Sequence, residues 1–293
     1  MPRLPDQTYL EISLSGKRLN RKNQRNAEVF FAGLGIESGR LVSAETKRSF
    51  KIFFYTRSFS ELKKIRRDFA AAEPKGLRLK VLVLGRRDWL DKWKLYYRPT
   101  AVAKRFVVVP QWERPRFRPG NRIPLYLDPG GAFGSGLHET TRLVIRAMEK
   151  CSVSGKTFLD IGTGTGILSI TAAKLGAAEI CAFDSDPQSV RVAKNNFKLN
   201  RCINGRFLRA DLTRFPVRRC FDLVAANLLS RTLTDNRRKI LSAVKPGGTL
   251  LVSGIHRINL RGFLAFFPAS SAFAGRKIFN GRSWSAILWK RLQ

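Results

Sequence analysis

At 293 residues the chain is long enough for two folded units with sizeable cores, and its 44% hydrophobic content supports a globular protein. Its 55 Lys and Arg against 21 Asp and Glu give a formal net charge of +34, which reads either as work near polyanions or as a lineage-wide bias toward Arg and Lys. No stretch approaches the roughly 20 apolar residues of a membrane helix, and four cysteines without a C-x-x-C pair, beside two histidines, argue against a zinc cluster.

The start, Met-Pro-Arg-Leu-Pro-Asp-Gln, has no signal-peptide core. The expectation is a reduced, cytoplasmic monomer with buried thiols, no metal and no membrane contact. The charge is diffuse. Residues 1–100 carry 23 basic and 10 acidic side chains, residues 101–130 carry 6 and 2, and residues 131–293 carry 26 and 9. This suits weak attraction to RNA or the ribosome rather than one specific RNA-binding patch.

The first segment predicts a small α+β unit. Tyr9 to Leu14 alternates as a strand, and Arg25 to Ala32 is weakly helical before Gly33 and Gly35. Gly39 to Ala44 and Phe50 to Tyr55 read as paired strands. Phe59 to Ala72 places Phe59, Leu62, Ile65 and Phe69 on one helical face, and Leu77 to Leu84 is a last strand. The order βαββαβ is ferredoxin-like. Residues 1–86 hold no catalytic constellation and are expected to dock substrate.

Residues 87–126 read as a linker. Trp89, Trp93, Tyr96 and Tyr97 are expected to pack a short helix, and Phe106 to Val109 is a strand. Pro110, Pro115, Pro119 and Pro124 among arginines predict a semi-rigid connector. Glycines at 130, 131, 134 and 136 then make a loop ending at His138, and Thr140-Thr141 opens a helix with Leu143, Val144, Ala147 and Met148. Such a loop is placed to fold over a ligand at the neighbouring glycine turn.

The stretch from Thr157 to Asp186 organises the third segment, 127–293. Phe158, Leu159 and Ile161 give a short apolar strand, Gly162, Gly164 and Gly166 follow at once, and Ile167 to Leu175 has helical spacing. Glu179 to Phe183 returns as a buried strand ending at Asp184, which completes a nucleotide-type βαβ unit. A dinucleotide fingerprint needs its third glycine where this chain has Ile167, and no Gly-Lys-Ser/Thr is present to make a P-loop. Glycines here let the backbone approach a ligand closely, and Asp184 can accept from both hydroxyls of a ribose. Pro187 to Asn200 is a helix, Arg206 to Arg209 a short strand and Phe221 to Ala226 a strand ending at Asn227. Leu228 to Val244 covers a helix, and Pro246-Gly247-Gly248 turns into a strand, Thr249 to Ser253. Lys277 to Phe279 and Ser283 to Trp289 form a closing hairpin across Asn280-Gly281. The expectation is a Rossmann-like α/β sheet of seven mostly parallel strands, with ligand at their carboxyl ends.

The Asp160-x-Gly-x-Gly-x-Gly166 turn with Asp184 resembles the S-adenosylmethionine site of Rossmann-like methyltransferases. Further pieces narrow the resemblance: Asp88-Trp89 with Trp93-Lys94, Val109-Pro110 with Trp112-Glu113, and Asp128-Pro129-Gly130 through Ala132-Phe133-Gly134 to His138 and Thr140-Thr141. Asp184-Ser185-Asp186-Pro187-Gln188, Ala226-Asn227-Leu228-Leu229, and Lys245-Pro246-Gly247-Gly248 to Ser253-Gly254-Ile255 continue it. Together they resemble the ribosomal protein L11 methyltransferase (PrmA) family. The resemblance implies that Thr141, Gly162, Asp184 and Asn227 contact S-adenosylmethionine, and that Phe133 and His138 lie near the methyl-donor pocket. Gly164 and Gly166 join them through the glycine turn. Relatives of the fold place an acid against the adenine amino group, for which Asp211 is the candidate; a helix N-cap for the following residues is the alternative role. Leu137, Glu139, Thr163 and Thr165 depart from the family pattern. The implied reaction is methyl transfer to an amine of a large-subunit ribosomal protein, with ribosomal RNA as the alternative substrate. The amine must be neutral, and Asn227 is placed to hold its hydrogen with the amide oxygen; no dedicated base is evident.

Overall fold

The computed structural model describes residues 9–17, 21–34, 36, 42–45, 49–56, 58–85, 97–128, 136, 138–214, 220–268 and 270–293. It divides into two units, Met1–Arg98 and Pro99–Gln293.

Alternating apolar residues build the first unit. Strands β1 (Tyr9–Lys17), β2 (Val42–Glu45), β3 (Ser49–Thr56) and β4 (Arg78–Leu84) form an antiparallel sheet in the order β2-β3-β1-β4. Helices α1 (Arg21–Gly33) and α2 (Phe59–Ala72) complete the ferredoxin-like order. Leu10, Ile12 and Leu14 of β1 lie on one face with Ile52 and Phe54 of β3, because successive strand side chains point to opposite faces. Ala27 and Phe31 of α1, and Leu62 and Ile65 of α2, cover that face. Helix α2 begins where the Ser58 hydroxyl accepts the Glu61 N–H at 3.1 Å, and ends at Glu73 in the left-handed region. Phe59, expected inside, is an exposed residue at the first helical position, ahead of the turn that packs.

The stretch expected as a linker, residues 87–126, is folded structure from Thr100 onward. Strands β5 (Thr100–Ala101), β6 (Phe106–Pro110) and β7 (Ile123–Leu127) make a three-stranded sheet, with β6 and β7 parallel. The prolines hid the strand pattern. Pro124 sits inside β7, but the N–H groups of Tyr126 and Asp128, at the same parity, point away from β6 to side chains of another element. The N–H that proline lacks would point the same way, so the ladder to β6 loses nothing. Leu125 and Leu127 are buried. Trp89, Trp93 and Tyr96 lie outside the described residues.

Helix α3 (Glu139–Met148) leads into the main sheet: β8 (Thr157–Ile161), α4 (Ile167–Lys174), β9 (Glu179–Asp184), α5 (Pro187–Leu199), β10 (Gly205–Arg209) and β11 (Phe221–Asn227). Then come α6 (Ser230–Asp235), α7 (Arg237–Ser242), β12 (Val244–His256), α8 (Leu260–Phe266), β13 (Phe273–Asn280) and β14 (Trp284–Arg291). The seven strands run β10-β9-β8-β11-β12-β14-β13; the first five are parallel and β14 is antiparallel to both its neighbours. The expected single helix over 228–244 is two short ones, meeting at Asn236, whose backbone leaves the helical region. Apolar runs such as Leu223–Ala226 and Leu250–Val252 are buried on both faces, as strands covered by helices must be. Strand order reverses between β8 and β11. The crevice outside the carboxyl ends of those strands is where open α/β sheets bind ligands.

Candidate active site

The turn after β8 needs its glycines. Gly162, Gly164 and Gly166 have φ of 71°, 54° and 81°, a region where a side chain is strained. Space is short as well. A Cβ on Gly162 would lie 2.6 Å from the Leu228 side chain, and one on Gly166 would lie 3.1 Å from Ala193 of α5. Leu228 is pinned from its other side too, because a Cβ on Gly254 would overlap its carbonyl oxygen. The chain just past the end of β11 is thus wedged between two glycines.

Two carboxylates shape the turn. Asp160 accepts at Oδ2 from Thr163 Oγ1 (2.8 Å), Ser169 Oγ (2.6 Å) and Ser169 N (3.2 Å), while its Oδ1 is buried without a hydrogen-bond partner. Burial pushes this carboxyl up to about 6; the Ser169 and Thr163 bonds oppose the rise and the charge of Asp184 adds to it. Asp184, at the tip of β9, accepts the Gly164 N–H at Oδ2 and the Asp186 N–H at Oδ1, both at 3.0 Å. Its two oxygens are aimed by backbone donors on both sides.

Asn227 ends β11. It is only 6% exposed, its Nδ2 donates to Thr141 Oγ1 of α3 at 3.4 Å, and its Oδ1 is buried with no hydrogen-bond partner. A buried amide oxygen left unmatched costs roughly 1–3 kcal/mol, so its presence marks a place for a donor. His138 caps α3: its Nδ1 accepts the Thr140 N–H at 3.2 Å and lies 2.8 Å from the Thr140 hydroxyl. Burial, then the charge of Arg142, push His138 down to about 4. It is a neutral helix cap whose acceptor nitrogen is already used, and it is not suited to serve as a base at neutral pH. Its ring packs edge-on to Trp284 at 5.4 Å.

Sequence reasoning missed what holds α3. The Glu139 carboxylate accepts from the backbone N–H groups of Arg282 and Ser283 (2.9 Å), in the turn between β13 and β14, and of Trp284 (3.1 Å), the first residue of β14. Gly281 leaves room for it, since a Cβ there would run into that carboxylate. Asn280-Gly281 is therefore more than a turn signal.

The structure brings Gly162, Gly164, Gly166 and Asp184 together around one turn, and joins Thr141 to Asn227. Asp211 is exposed and works as a local turn cap, accepting from Thr213 N (2.8 Å) and Thr213 Oγ1 (2.7 Å). Phe133 lies outside the described residues. Among the described residues no group of three or more His, Cys, Asp or Glu is placed to hold a metal ion, and no helix is long and apolar enough to cross a membrane.

A sequence profile of the ribosomal protein L11 methyltransferase (PrmA) family matches residues 26–291. The chain belongs to this family. Ribosomal protein L11 methyltransferase of Chloroflexus aurantiacus is 37% identical over 234 residues, which are 72% of this chain and 71% of that protein. The Bacillus cytotoxicus protein of the same name is 40% identical over 201 residues, 69% of this chain and 64% of that one. The crystal structure of ribosomal protein L11 methylase from Lactobacillus delbrueckii subsp. bulgaricus superposes with a TM-score of 0.61 at 30% identity, covering 67% of this chain and all of that one. As a PrmA-family methyltransferase the chain uses S-adenosylmethionine as its methyl donor. The residues at hand fit that donor: a glycine cradle that any Cβ would strain, a carboxylate pair of backbone-oriented oxygens, and two buried acceptor atoms without partners.

Proposed function

We propose that this protein methylates amino groups of a large-subunit ribosomal protein, the counterpart of the L11 named for its relatives, on lysine side chains or the N-terminal amine. The observation that carries the reading is the buried, partnerless Oδ1 of Asn227 at the switch point of the sheet. In this reading the backbone of Gly162 to Gly166 cradles the donor, Asp184 accepts from its ribose hydroxyls, and Thr141, His138 and Phe133 line the remainder. S-adenosylmethionine supplies a methyl group on a sulfonium, which already is a good leaving group. Asn227, held by Thr141, accepts a hydrogen from the incoming amine and aims the nitrogen lone pair. Positioning then carries most of the rate. The amine must arrive neutral, and a dry pocket lowers its pKa from about 10.4. Asp211 is the proposed partner of the adenine amino group, in addition to its capping role.

The first unit docks the substrate, and the diffuse positive charge raises encounter rates near the ribosome without choosing the methylated atom. Leu228 and Leu229 beside Asn227 give an aliphatic edge suited to a flexible amine more than to a flat base. This work belongs in the cytoplasm, where ribosomes are. The test is label transfer from S-adenosylmethionine to ribosomal proteins and RNA, read by mass spectrometry. Label on protein amines supports the reading; label mainly on ribosomal RNA overturns it in favour of the second substrate. Asn227→Ala is expected to lower kcat about tenfold or more while leaving donor affinity nearly unchanged.

A further inference from the structure

Asn196 of α5 and Asn200, the residue that caps its C-terminus, do something unusual for a helix. Asn196 Oδ1 accepts the Asp128 N–H at 2.8 Å and its Nδ2 donates to the Asp128 carbonyl at 3.0 Å. Asn200 repeats the pattern one turn later on Tyr126, accepting at 2.9 Å and donating at 2.6 Å. The spacing explains the match. Four residues of helix rise about 6 Å, close to the roughly 6.6 Å between residues two apart in a strand. An Asn-x-x-x-Asn face therefore mimics the edge of a neighbouring strand and closes the side of β7 that β6 leaves open.

The third bond of each asparagine separates them. Asn200 Nδ2 also donates back to Asn196 O of α5 at 2.8 Å. Asn196 Nδ2 also donates at 2.9 Å to the carbonyl of Thr165, in the middle of the glycine turn. Asn196 is 1% exposed. Ala193, one turn earlier on α5, lies against Gly166. The glycine turn is thus gripped from two sides: Gly164 by Asp184, and Thr165 by Asn196.

We propose that Asn196 is a positioning residue that couples the donor-binding glycine turn to Asp128, the residue just after β7, where the chain leaves for α3. It touches neither donor nor amine; it acts through Thr165 and Asp128. Asn200, with equal bonding to β7 and none to the turn, is its internal control. The inference rests on the reading that S-adenosylmethionine occupies the glycine turn.

The experiment is calorimetric titration of the full chain with S-adenosylhomocysteine, for wild type, Asn196→Ala and Asn200→Ala. Each variant loses three hydrogen bonds, so both melt earlier. Only Asn196→Ala is expected to weaken binding, by about tenfold or more, with Asn200→Ala within about threefold of wild type. In turnover, Asn196→Ala raises KM for S-adenosylmethionine with little change in kcat. Equal affinities in the two variants overturn the coupling and leave the site reading intact; a wild type that does not bind overturns both. Amide hydrogen exchange on wild type gives a second measure should Asn196→Ala not fold. Adding S-adenosylhomocysteine is expected to slow exchange at the Asp128 amide and not at Tyr126. A change at both, or at neither, refutes the proposal.

Discussion

Replacing Asp184 with Asn keeps its volume and removes one acceptor oxygen. In the native protein Oδ2 takes the Gly164 N–H and Oδ1 takes the Asp186 N–H, each at 3.0 Å. An amide satisfies one of these donors and turns an NH2 toward the other. The loss inside the protein is one hydrogen bond to a charged acceptor, about 1.5–3 kcal/mol, and belongs to folding stability. The loss toward the donor is a separate quantity. Hydrogen bonds to a charged acceptor contribute about 1.5–3 kcal/mol, so Asp184→Asn is expected to weaken S-adenosylmethionine binding about 10- to 150-fold. Titration calorimetry measures the second quantity, and urea denaturation without ligand measures the first. Unchanged affinity, with the stability loss present, would remove Asp184 from the ribose role.

Gly281→Ala forces the Glu139 side chain off the three N–H groups it serves, so a stability loss of about 1–3 kcal/mol is expected; in a Glu139→Ala background the same change should cost almost nothing. A double-mutant cycle by chemical denaturation checks this, and equal costs in both backgrounds refute it. Asp160, raised to about 6 from an ordinary value near 3.8, binds its proton more tightly folded than unfolded. Its contribution is therefore present below pH 4 and lost as pH rises through 6, and Asp160→Asn should gain on wild type by up to about 3 kcal/mol over that window. A stability difference that stays flat from pH 4 to 6.5 refutes the assignment. Removing residues 1–98 is expected to leave S-adenosylhomocysteine binding intact and to abolish methylation of folded ribosomal protein; full activity of the shortened chain would end the docking role.

The sequence by itself determined the local frame. Alternation in Leu10, Ile12 and Leu14, the helical face of Leu62 and Ile65, and the glycine turn closing on Asp184 all follow from backbone sterics and periodicity, which are local. The glycine spacing excluded other nucleotide folds for the same reason, since positive φ is a property of single residues. What the sequence could not decide are partnerships across long stretches of chain. Pro124 looked like a linker residue because nothing local says which edge of a strand is unpaired. Asn196 and Asn200 fall in a stretch read only as a helix, though asparagine is a poor helix former. Glu139 had its neighbours at the β13–β14 turn, more than 140 residues away. Asn227, as a residue type, suited a plain turn. Only burial against Thr141, with one amide oxygen left unmatched, turned it into the proposed amine acceptor. Desolvation is a property of the packed molecule, so tertiary structure decides which polar atoms have chemistry left to do.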